Sequence, residues 1–172
     1  PAGLETAAGV KTSPRVVLGL PAFARPDSLP RALESLLSQT YQDFALVVVD
    51  DAPDAQVAPI VDRYARDYPR ITYAANPARL GMVGNWRRVF EEGRARYPGS
   101  DYFAWVSDHD VWHARWLETL VSVLDQEPSV VVAYSASLRT TSDDAWLEKK
   151  GFDTTGIRRA SARIARAAEQ ML

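Results

Sequence analysis

The sequence predicts an α/β fold, a three-layer sandwich in which a mainly parallel central sheet carries helices on both faces. Apolar runs of strand length alternate with stretches of helical periodicity along most of the chain. The strand runs are almost continuously apolar, which is typical of parallel strands buried on both faces. Two of them end in acidic clusters, Asp50-Asp51 and Asp108-His109-Asp110. Since ligands bind at the carboxyl ends of the strands in such sheets, these clusters mark the expected site.

The expected elements follow one another in regular order. Strands are predicted at residues 15–20, 44–49, 71–75, 101–106 and 130–134. Helices are predicted at residues 28–38, between Asp54 and Tyr68, at 83–96 and at about 113–126. The side chain of Ser28 is expected to cap the first helix.

Three regions are expected in the 172-residue chain, which is long enough for one domain. Residues 1–14 are predicted to be a tail, and residues 15–136 form the α/β core. Residues 137–172 begin with a predicted long loop that reaches residue 156, and they end in an Arg- and Ala-rich helix at about 158–171. Long loops in compact domains are often functional lids or disordered segments.

Composition excludes several classes of protein. A formal net charge of -2 argues against a nucleic-acid partner, because nucleic-acid-binding domains usually carry a clear basic excess. The chain has no cysteine, which excludes disulfides, thiolate zinc sites and cysteine nucleophiles. No apolar run approaches the ~18–20 residues that span a bilayer. The expected location is cytoplasmic or peripheral to a membrane.

The Asp108-His109-Asp110 turn is a candidate metal site. Carboxylates two residues apart at a strand end can both reach one hard cation, and Mg²⁺ or Mn²⁺ takes its remaining oxygens from substrate phosphates and water. Such an ion would offset the charge of a diphosphate leaving group. The structural alternative is that Asp110 caps a helix that starts near Trp112.

Asp50 and Asp51 lie at the mouth of the second predicted strand. Adjacent carboxylates repel each other unless something is bound there, and a carboxylate here would accept hydrogen bonds from a base or a ribose. The alternative is an Asx-turn before Pro53.

The first strand-to-helix turn, Leu20–Arg25, lacks the glycine patterns of dinucleotide-binding and P-loop proteins. Phe23 is a candidate for stacking on a base, and Arg25 is a candidate for contacting a phosphate. Packing and surface roles remain open for both residues.

Together these motifs resemble family 2 glycosyltransferases, which have the GT-A fold. The resemblance covers about residues 15–135, with the segments in the order and spacing of that family. The matching segments are Pro21–Arg25, Leu33–Phe44 with its Ser38-Gln39-Thr40, Leu46–Asp51, Asn76–Gly81 with Asn85, and Phe103–Trp112. His109 stands where the family often has a third acidic residue, which leaves the role of this middle position open.

The resemblance implies a nucleoside-diphosphate sugar as donor and Mn²⁺ or Mg²⁺ as cofactor. The residues that it assigns to the base and ribose pocket are Pro21, Phe23, Arg25 and Asp50, with Asp51 beside them. Those that it assigns to the donor side near the nucleotide and diphosphate are Arg79, Gly81 and Asn85. By the same resemblance Asp110 is the main metal ligand, and Asp108 faces the ribose or sugar and serves as a second ligand.

The implied reaction is transfer of a sugar, with inversion, to a hydroxyl of a saccharide, lipid or protein acceptor. Inversion needs a general base that deprotonates this hydroxyl. No residue matches the base of the family, since Asp143, Asp144 and Asp153 lie in the predicted long loop and follow no recognisable strand. Residues 137–172 are therefore expected to be the start of an incomplete acceptor region.

Two alternative functions stay open. A sugar-1-phosphate nucleotidyltransferase also uses acidic metal ligands on an α/β sheet, but it normally needs a Gly-rich first turn with Lys or Arg, which Leu20–Arg25 lacks. A non-catalytic module that binds nucleotide sugars is kept open by the missing base.

Overall fold

A computed structural model describes residues 13–52, 54, 56–141, 145–150, 159 and 162. The chain divides into two compact units, Pro1–Leu117 and Glu118–Leu172. The domain boundary predicted after residue 136 stays a prediction. None of the described helices is both long and apolar enough to cross a bilayer.

Strands and helices alternate through the first unit, as the sequence predicts. The strands are β1 (Val16–Ala22), β2 (Phe44–Asp50), β3 (Ile71–Ala75) and β4 (Tyr102–Trp105). The helices are α1 (Leu29–Leu37), α2 (Ala58–Ala65) and α3 (Gly81–Arg96), and α4 (Trp116–Gln126) begins where this unit ends. The strands form one sheet in the order β3-β2-β1-β4, and every pairing in it is parallel. The predicted α/β fold with a mainly parallel sheet is confirmed.

Both faces of the sheet are covered. Val17, Val47 and Val49 pack with Val89 of α3 on one face. Side chains alternate between the faces of a strand, so the even-numbered residues of β1 and β2 point to the opposite face. These residues are also buried: Leu18, Leu20, Leu46 and Val48.

Two glycines allow α3 to lie close to β1. A Cβ atom on Gly19 would meet the Phe103 ring of β4 and lie 3.2 Å from Val89 of α3, and a Cβ atom on Gly93 of α3 would lie 2.9 Å from Val17 of β1. The ring of Phe103 thus occupies space that any other residue at position 19 would fill. This close approach sets the position of α3, which carries Asn85 on its buried side.

The carboxyl ends of the strands meet at one edge of the sheet. Ala22 pairs with Asp50, and Asp50 pairs with Ala75, so β1, β2 and β3 end at the same level. β4 ends three residues before β1 does, because its last residue, Trp105, pairs with Gly19, whereas β1 continues to Ala22. The residues that follow β4 therefore run along the edge at which the other three strands end.

The structure corrects two predictions for the second unit. The predicted strand at 130–134 is wrong, since Val131 and Val132 are 89% and 69% exposed and no described strand pairs with them. The predicted long loop from residue 137 is also wrong in part, because β5 (Ser137–Thr140) and β6 (Trp146–Lys150) form an antiparallel pair. A local hairpin forms backbone hydrogen bonds without an apolar face, and β5 is exposed throughout.

Two further predictions concern the chain ends. The predicted tail lies outside the described residues as far as residue 12, and so does the predicted C-terminal helix apart from positions 159 and 162.

Candidate functional site

Asp50 is a buried carboxylate at the end of β2. Its Oδ1 accepts a hydrogen bond from the Ala52 N–H (3.0 Å), which is the Asx-turn geometry, and its Oδ2 accepts one from the Tyr73 hydroxyl (3.0 Å). Burial raises the pKa of Asp50, and the charges of Asp54 and Asp51 raise it further. Burial and the charge of Asp50 raise the pKa of Tyr73 to about 12. Because a carboxylate accepts about four hydrogen bonds, Asp50 retains capacity for a ligand N–H or O–H.

Asp51 holds the loop that precedes α3, residues 76–80, which we call the Arg79 loop. Its Oδ1 accepts hydrogen bonds from Asn76 Nδ2 (2.8 Å) and the Leu80 N–H (2.7 Å), and its Oδ2 accepts one from the Gly81 N–H (2.8 Å). Asp51 therefore caps α3 from another element, which offsets its charge without a ligand. Its predicted contact with the donor stays a prediction.

Gly81 is the first residue of α3 and has a φ of 74°. This is a backbone conformation that side-chain-bearing residues rarely adopt. The glycine of the Asn76–Gly81 motif is thus explained by the backbone at the turn into the helix.

Asn85 braces the carboxyl ends of the two central strands. Its Nδ2 donates to the carbonyl oxygens of Val49 (3.1 Å) and Ala22 (3.3 Å), and its Oδ1 accepts from Asn76 Nδ2 (3.0 Å). The Oδ1 of Asn76 is buried without a hydrogen-bond partner in the described part of the chain. The predicted donor contact of Asn85 is untested, and its amide is engaged within the protein.

Phe23 and Arg79 come together from two different loops. The guanidinium carbon of Arg79 lies 4.4 Å from the centroid of the Phe23 ring, a cation–π contact. Phe23 is 38% exposed, and Ala24 after it has a positive φ of 50°. Pro21 fits within β1 because it lies beyond Gly19, the last residue that pairs with β4. The two loops thus present an aromatic ring and a cation at the carboxyl edge of the sheet.

Asp108 connects the turn after β4 to the turn after β1. Its Oδ2 accepts a hydrogen bond from the Phe23 N–H (3.1 Å). Its Oδ1 lies 2.7 Å from His109 Nδ1 and 3.9 Å from Arg25 Nε. The carboxylate is buried, whereas the Arg25 side chain is 56% exposed. Asp108 thereby fixes the backbone beside Phe23 at the same edge as Asp50.

Asp110 is exposed, and no hydrogen bond or ion pair joins it to any other residue that the structure describes. The alternative that it caps a helix starting near Trp112 is wrong, because α4 begins at Trp116. The described residues contain no cluster of three or more metal-ligating side chains. The carboxylates of Asp108 and Asp110 fit Mg²⁺ or Mn²⁺, since either ion needs only one or two protein carboxylates when a substrate supplies phosphate oxygens.

Residues 108–117, which we call the acidic segment, run alongside α1. The Ser28 hydroxyl donates to the Asp108 carbonyl oxygen (2.9 Å), and the Trp112 N–H donates to Ser35 Oγ (3.2 Å). Gln39, which is 1% exposed, contacts the end of the segment. The predicted capping role of the Ser28 side chain is wrong, since the hydroxyl makes no bond to the start of α1.

Sequence reasoning missed three residues of this site: Tyr73, Asn76 as a bridge, and Gln39. Gln39 belongs to the Ser38-Gln39-Thr40 motif, which carried the resemblance without a chemical role. The sequence did contain one indication of its role: Gln39 is a polar residue that comes two positions after Leu37, where the buried positions of α1 end.

The sequence profile of one family, Glycosyl transferase family 2, matches residues 18–168, which is most of the chain. The chain therefore belongs to glycosyl transferase family 2.

Individual proteins are similar over part of their length. Protein CgeD of Bacillus subtilis strain 168 is 26% identical over 130 residues, which is 70% of this chain and 29% of CgeD. The chain spans about a third of the length of the curated relatives that it matches.

Solved structures share the fold at low identity. TarS 1–349 of S. aureus gives a TM-score of 0.59 at 19% identity, over 66% of this chain and 33% of that one. Its complex with UDP-GlcNAc gives 0.57 at 15%, over 66% and 32%. The mannosyltransferase PcManGT of Pyrobaculum calidifontis, in complex with GDP-Man and Mn²⁺, gives 0.52 at 18%, over 65% and 32%.

Proposed function

We propose that this chain is the donor-binding part of a glycosyltransferase that moves a sugar from a nucleoside-diphosphate sugar to an acceptor hydroxyl. One observation carries the proposal: Asp108 hydrogen-bonds the backbone of Phe23, so the aromatic ring and the acidic turn share one edge of the sheet. Family membership supports the sugar-transfer class. The acceptor is a saccharide, a lipid or a protein.

The base and ribose are proposed to bind beside Asp50. Its carboxylate has capacity to accept from an N–H of the base or from a ribose hydroxyl. The Phe23 ring and the Arg79 guanidinium, stacked at 4.4 Å, offer a flat cationic surface for the nucleotide. This surface depends on the Arg79 loop, which hydrogen bonds to Asp51 and Asn85 hold in place at the turn into α3 at Gly81.

The diphosphate and its metal are proposed to bind at the acidic turn. Asp110, with Asp108 beside it, would hold Mn²⁺ or Mg²⁺, and the ion would offset the charge of the departing diphosphate. The complexes of TarS with UDP-GlcNAc and of PcManGT with GDP-Man and Mn²⁺ support a nucleotide-sugar donor and a divalent metal. Arg25 and Arg79 are exposed cations on the same side of the molecule, suited to phosphate oxygens.

Inverting transfer is part of the proposal. A general base would take the proton of the acceptor hydroxyl as this oxygen attacks the anomeric carbon and the carbon–diphosphate bond breaks. The acidic residues considered for this role, Asp143, Asp144 and Asp153, lie outside the described residues. No base is assigned.

The alternative is a module that binds the nucleotide sugar without turnover. The described site consists of donor-binding groups, and this observation keeps the alternative open. Release of the nucleoside diphosphate from bound donor would separate the two, because a glycosyltransferase hydrolyses its donor slowly and a binding module returns it intact.

Calorimetry with UDP, GDP and dTDP, with and without Mn²⁺, tests the donor site. We expect one nucleotide to bind in a Mn²⁺-dependent manner and Asp110→Ala to weaken it about tenfold or more, or ~1.4 kcal/mol. The matched control is Asp67→Ala, an exposed aspartate that precedes β3 at the opposite end of the sheet. If no nucleotide binds, or if Asp110→Ala behaves like Asp67→Ala, the site assignment is wrong.

A further inference from the structure

Gln39 is a fully buried amide that contacts two distant backbone groups. Its Nε2 donates to the His113 carbonyl oxygen (2.9 Å), and its Oε1 accepts from the Leu117 N–H (2.9 Å). A further bond from Nε2 to the Ser35 carbonyl oxygen (3.1 Å) ties the side chain to α1, which ends two residues before Gln39. The Gln39 amide is thus committed on both sides, which is how a buried polar group avoids a desolvation cost.

The two backbone groups are those that would bond to each other in a longer helix. In an α-helix the N–H of Leu117 would donate to the carbonyl of His113, four residues earlier. Here the Gln39 amide stands between them, accepting from one and donating to the other. Because α4 begins at Trp116, the Leu117 N–H is among those left without an intrahelical partner. Gln39 therefore caps the start of α4 from another element.

This cap lies at the end of the acidic segment, and a second attachment lies at its beginning. At the beginning, the Ser28 hydroxyl donates to the Asp108 carbonyl oxygen (2.9 Å). Near the end, the Thr40 N–H adds a bond to the Ala114 carbonyl oxygen (2.8 Å). Asp110, exposed and without a partner among the described residues, lies between these attachments. Its location is set by the points at which the segment is held by the residues that flank α1.

We propose that Gln39 is a positioning residue for the metal-binding carboxylate of Asp110. The inference rests on the proposed function for the identity of the site. By holding the acidic segment, Gln39 fixes Asp110 before the ligand arrives, so binding does not have to order the segment. Interactions that orient a metal ligand without touching the metal commonly change metal affinity about 10–100-fold.

Two variants and one control isolate this role. Gln39→Met keeps the length and packing of the side chain and removes both bonds to the acidic segment. Gln39→Glu keeps an acceptor for the Leu117 N–H and loses the donor to His113. Ser38→Ala is the control, because the Ser38 hydroxyl bonds only to Ser35 within α1 among the described residues (3.1 Å).

The first measurement is limited trypsin digestion, followed by mass spectrometry of the cleavage after Arg115. Arg115 is exposed and lies inside the acidic segment, so cleavage there reports local opening. We expect the rate to rise about fivefold or more in Gln39→Met and less in Gln39→Glu, and to stay unchanged in Ser38→Ala. An unchanged rate in a folded Gln39→Met protein would overturn the proposal, and Gln39→Glu applies the same test if Gln39→Met does not fold.

The second measurement is the affinity for Mn²⁺ with UDP, GDP or dTDP, whichever the wild type binds. We expect a loss of about tenfold in Gln39→Met and none in Ser38→Ala. Faster cleavage with unchanged affinity would overturn the positioning role. If the wild type binds no nucleotide, the proposed function fails and the metal role fails with it. Faster cleavage at Arg115 in that case would still identify Gln39 as the residue that holds the segment, so the two failures are distinguishable.

Discussion

The Arg79 loop and the acidic segment are held by side chains of different charge. Three hydrogen bonds to the Asp51 carboxylate hold the loop that carries a cation. The neutral groups of Ser28, Ser35 and Gln39 hold the segment that carries Asp108 and Asp110. A carboxylate in place of Gln39 would put a third negative charge against a segment that already carries Asp108 and Asp110.

The difference follows from electrostatics at one sheet edge. Charge-assisted hydrogen bonds to a helix N-terminus are stronger than neutral ones, and the N–H groups of α3 offset the charge of Asp51. Neutral amides and hydroxyls hold a backbone without changing the local potential. The proposed site would bind an anion together with a cation. A carboxylate that anchors the Arg79 loop, and neutral side chains that anchor the acidic segment, suit that combination of charges.

Removing the Asp51 carboxylate should have the largest effect on the free energy of unfolding. Asp51→Ala leaves the Leu80 and Gly81 N–H groups without their acceptor, and we expect a loss of about 3 kcal/mol in the free energy of unfolding. Asp51→Asn keeps one acceptor oxygen and should lose about half as much. Urea denaturation measures both, with Asp67→Ala as the control. A loss below ~1 kcal/mol in Asp51→Ala would mean that the Arg79 loop is held by other contacts.

The strands and helices of the first unit could be read from the sequence because burial leaves a pattern. β3 lies at 71–75 as predicted, and α1 lies within the helix predicted at residues 28–38, with its buried residues at helical spacing. The apolar run at 130–134 failed as evidence for a strand, since a strand also needs a neighbour to pair with. The pair of β5, which is exposed throughout, with the short β6 left no apolar signal.

The sequence singled out Asp50, Asp51 and Asp108, which the structure places at the carboxyl edge of the sheet, but it missed Tyr73 and Gln39 and gave none of the hydrogen bonds that hold these residues. Asp51 bonds to backbone N–H groups of residues 80 and 81, and every residue except proline offers such a group. The Gln39 amide likewise bonds to backbone groups of residues 113 and 117. Side-chain patterns show which groups can bind, whereas the partner of each group depends on the tertiary position of the backbone.

Substitutions at two positions with a positive φ, Gly81 and Ala24, should change stability by an intermediate amount. Gly81, at a φ of 74°, should lose about 1 kcal/mol when changed to alanine, because the left-handed conformation penalises a Cβ atom. Ala24, at a φ of 50°, should tolerate glycine with a change of less than ~1 kcal/mol of either sign, because relief of strain is offset by the greater freedom of the unfolded chain. Thermal unfolding of the pair distinguishes the two positions. Equal destabilisation by both substitutions would contradict the assigned backbone conformations.

Substitution of Asp50 should change the free energy of unfolding least. This change should be a gain in stability, whereas substitution of Asp51 causes a loss. Burial raises the pKa of Asp50 above its ordinary value of 3.8, so the folded state disfavours the charged form. The resulting loss of stability is absent below pH 3.8, grows as the pH rises through the folded pKa, and is constant above it. Asp50→Asn has no such loss. The gain is small because the hydrogen bonds from Ala52 and Tyr73 partly offset the desolvation.

Unfolding of the wild type and Asp50→Asn between pH 4 and pH 8 measures this gain. The stability difference should increase with pH and then level off, while binding of the nucleotide weakens if Asp50 accepts a hydrogen bond from it. A variant less stable than the wild type at neutral pH would show that the negative charge itself supports the end of β2. The contrast between the two adjacent aspartates would then fail. A more stable variant that binds more weakly would separate them: Asp51 keeps its charge to hold a loop, and Asp50 keeps its charge, at a cost in stability, for a ligand.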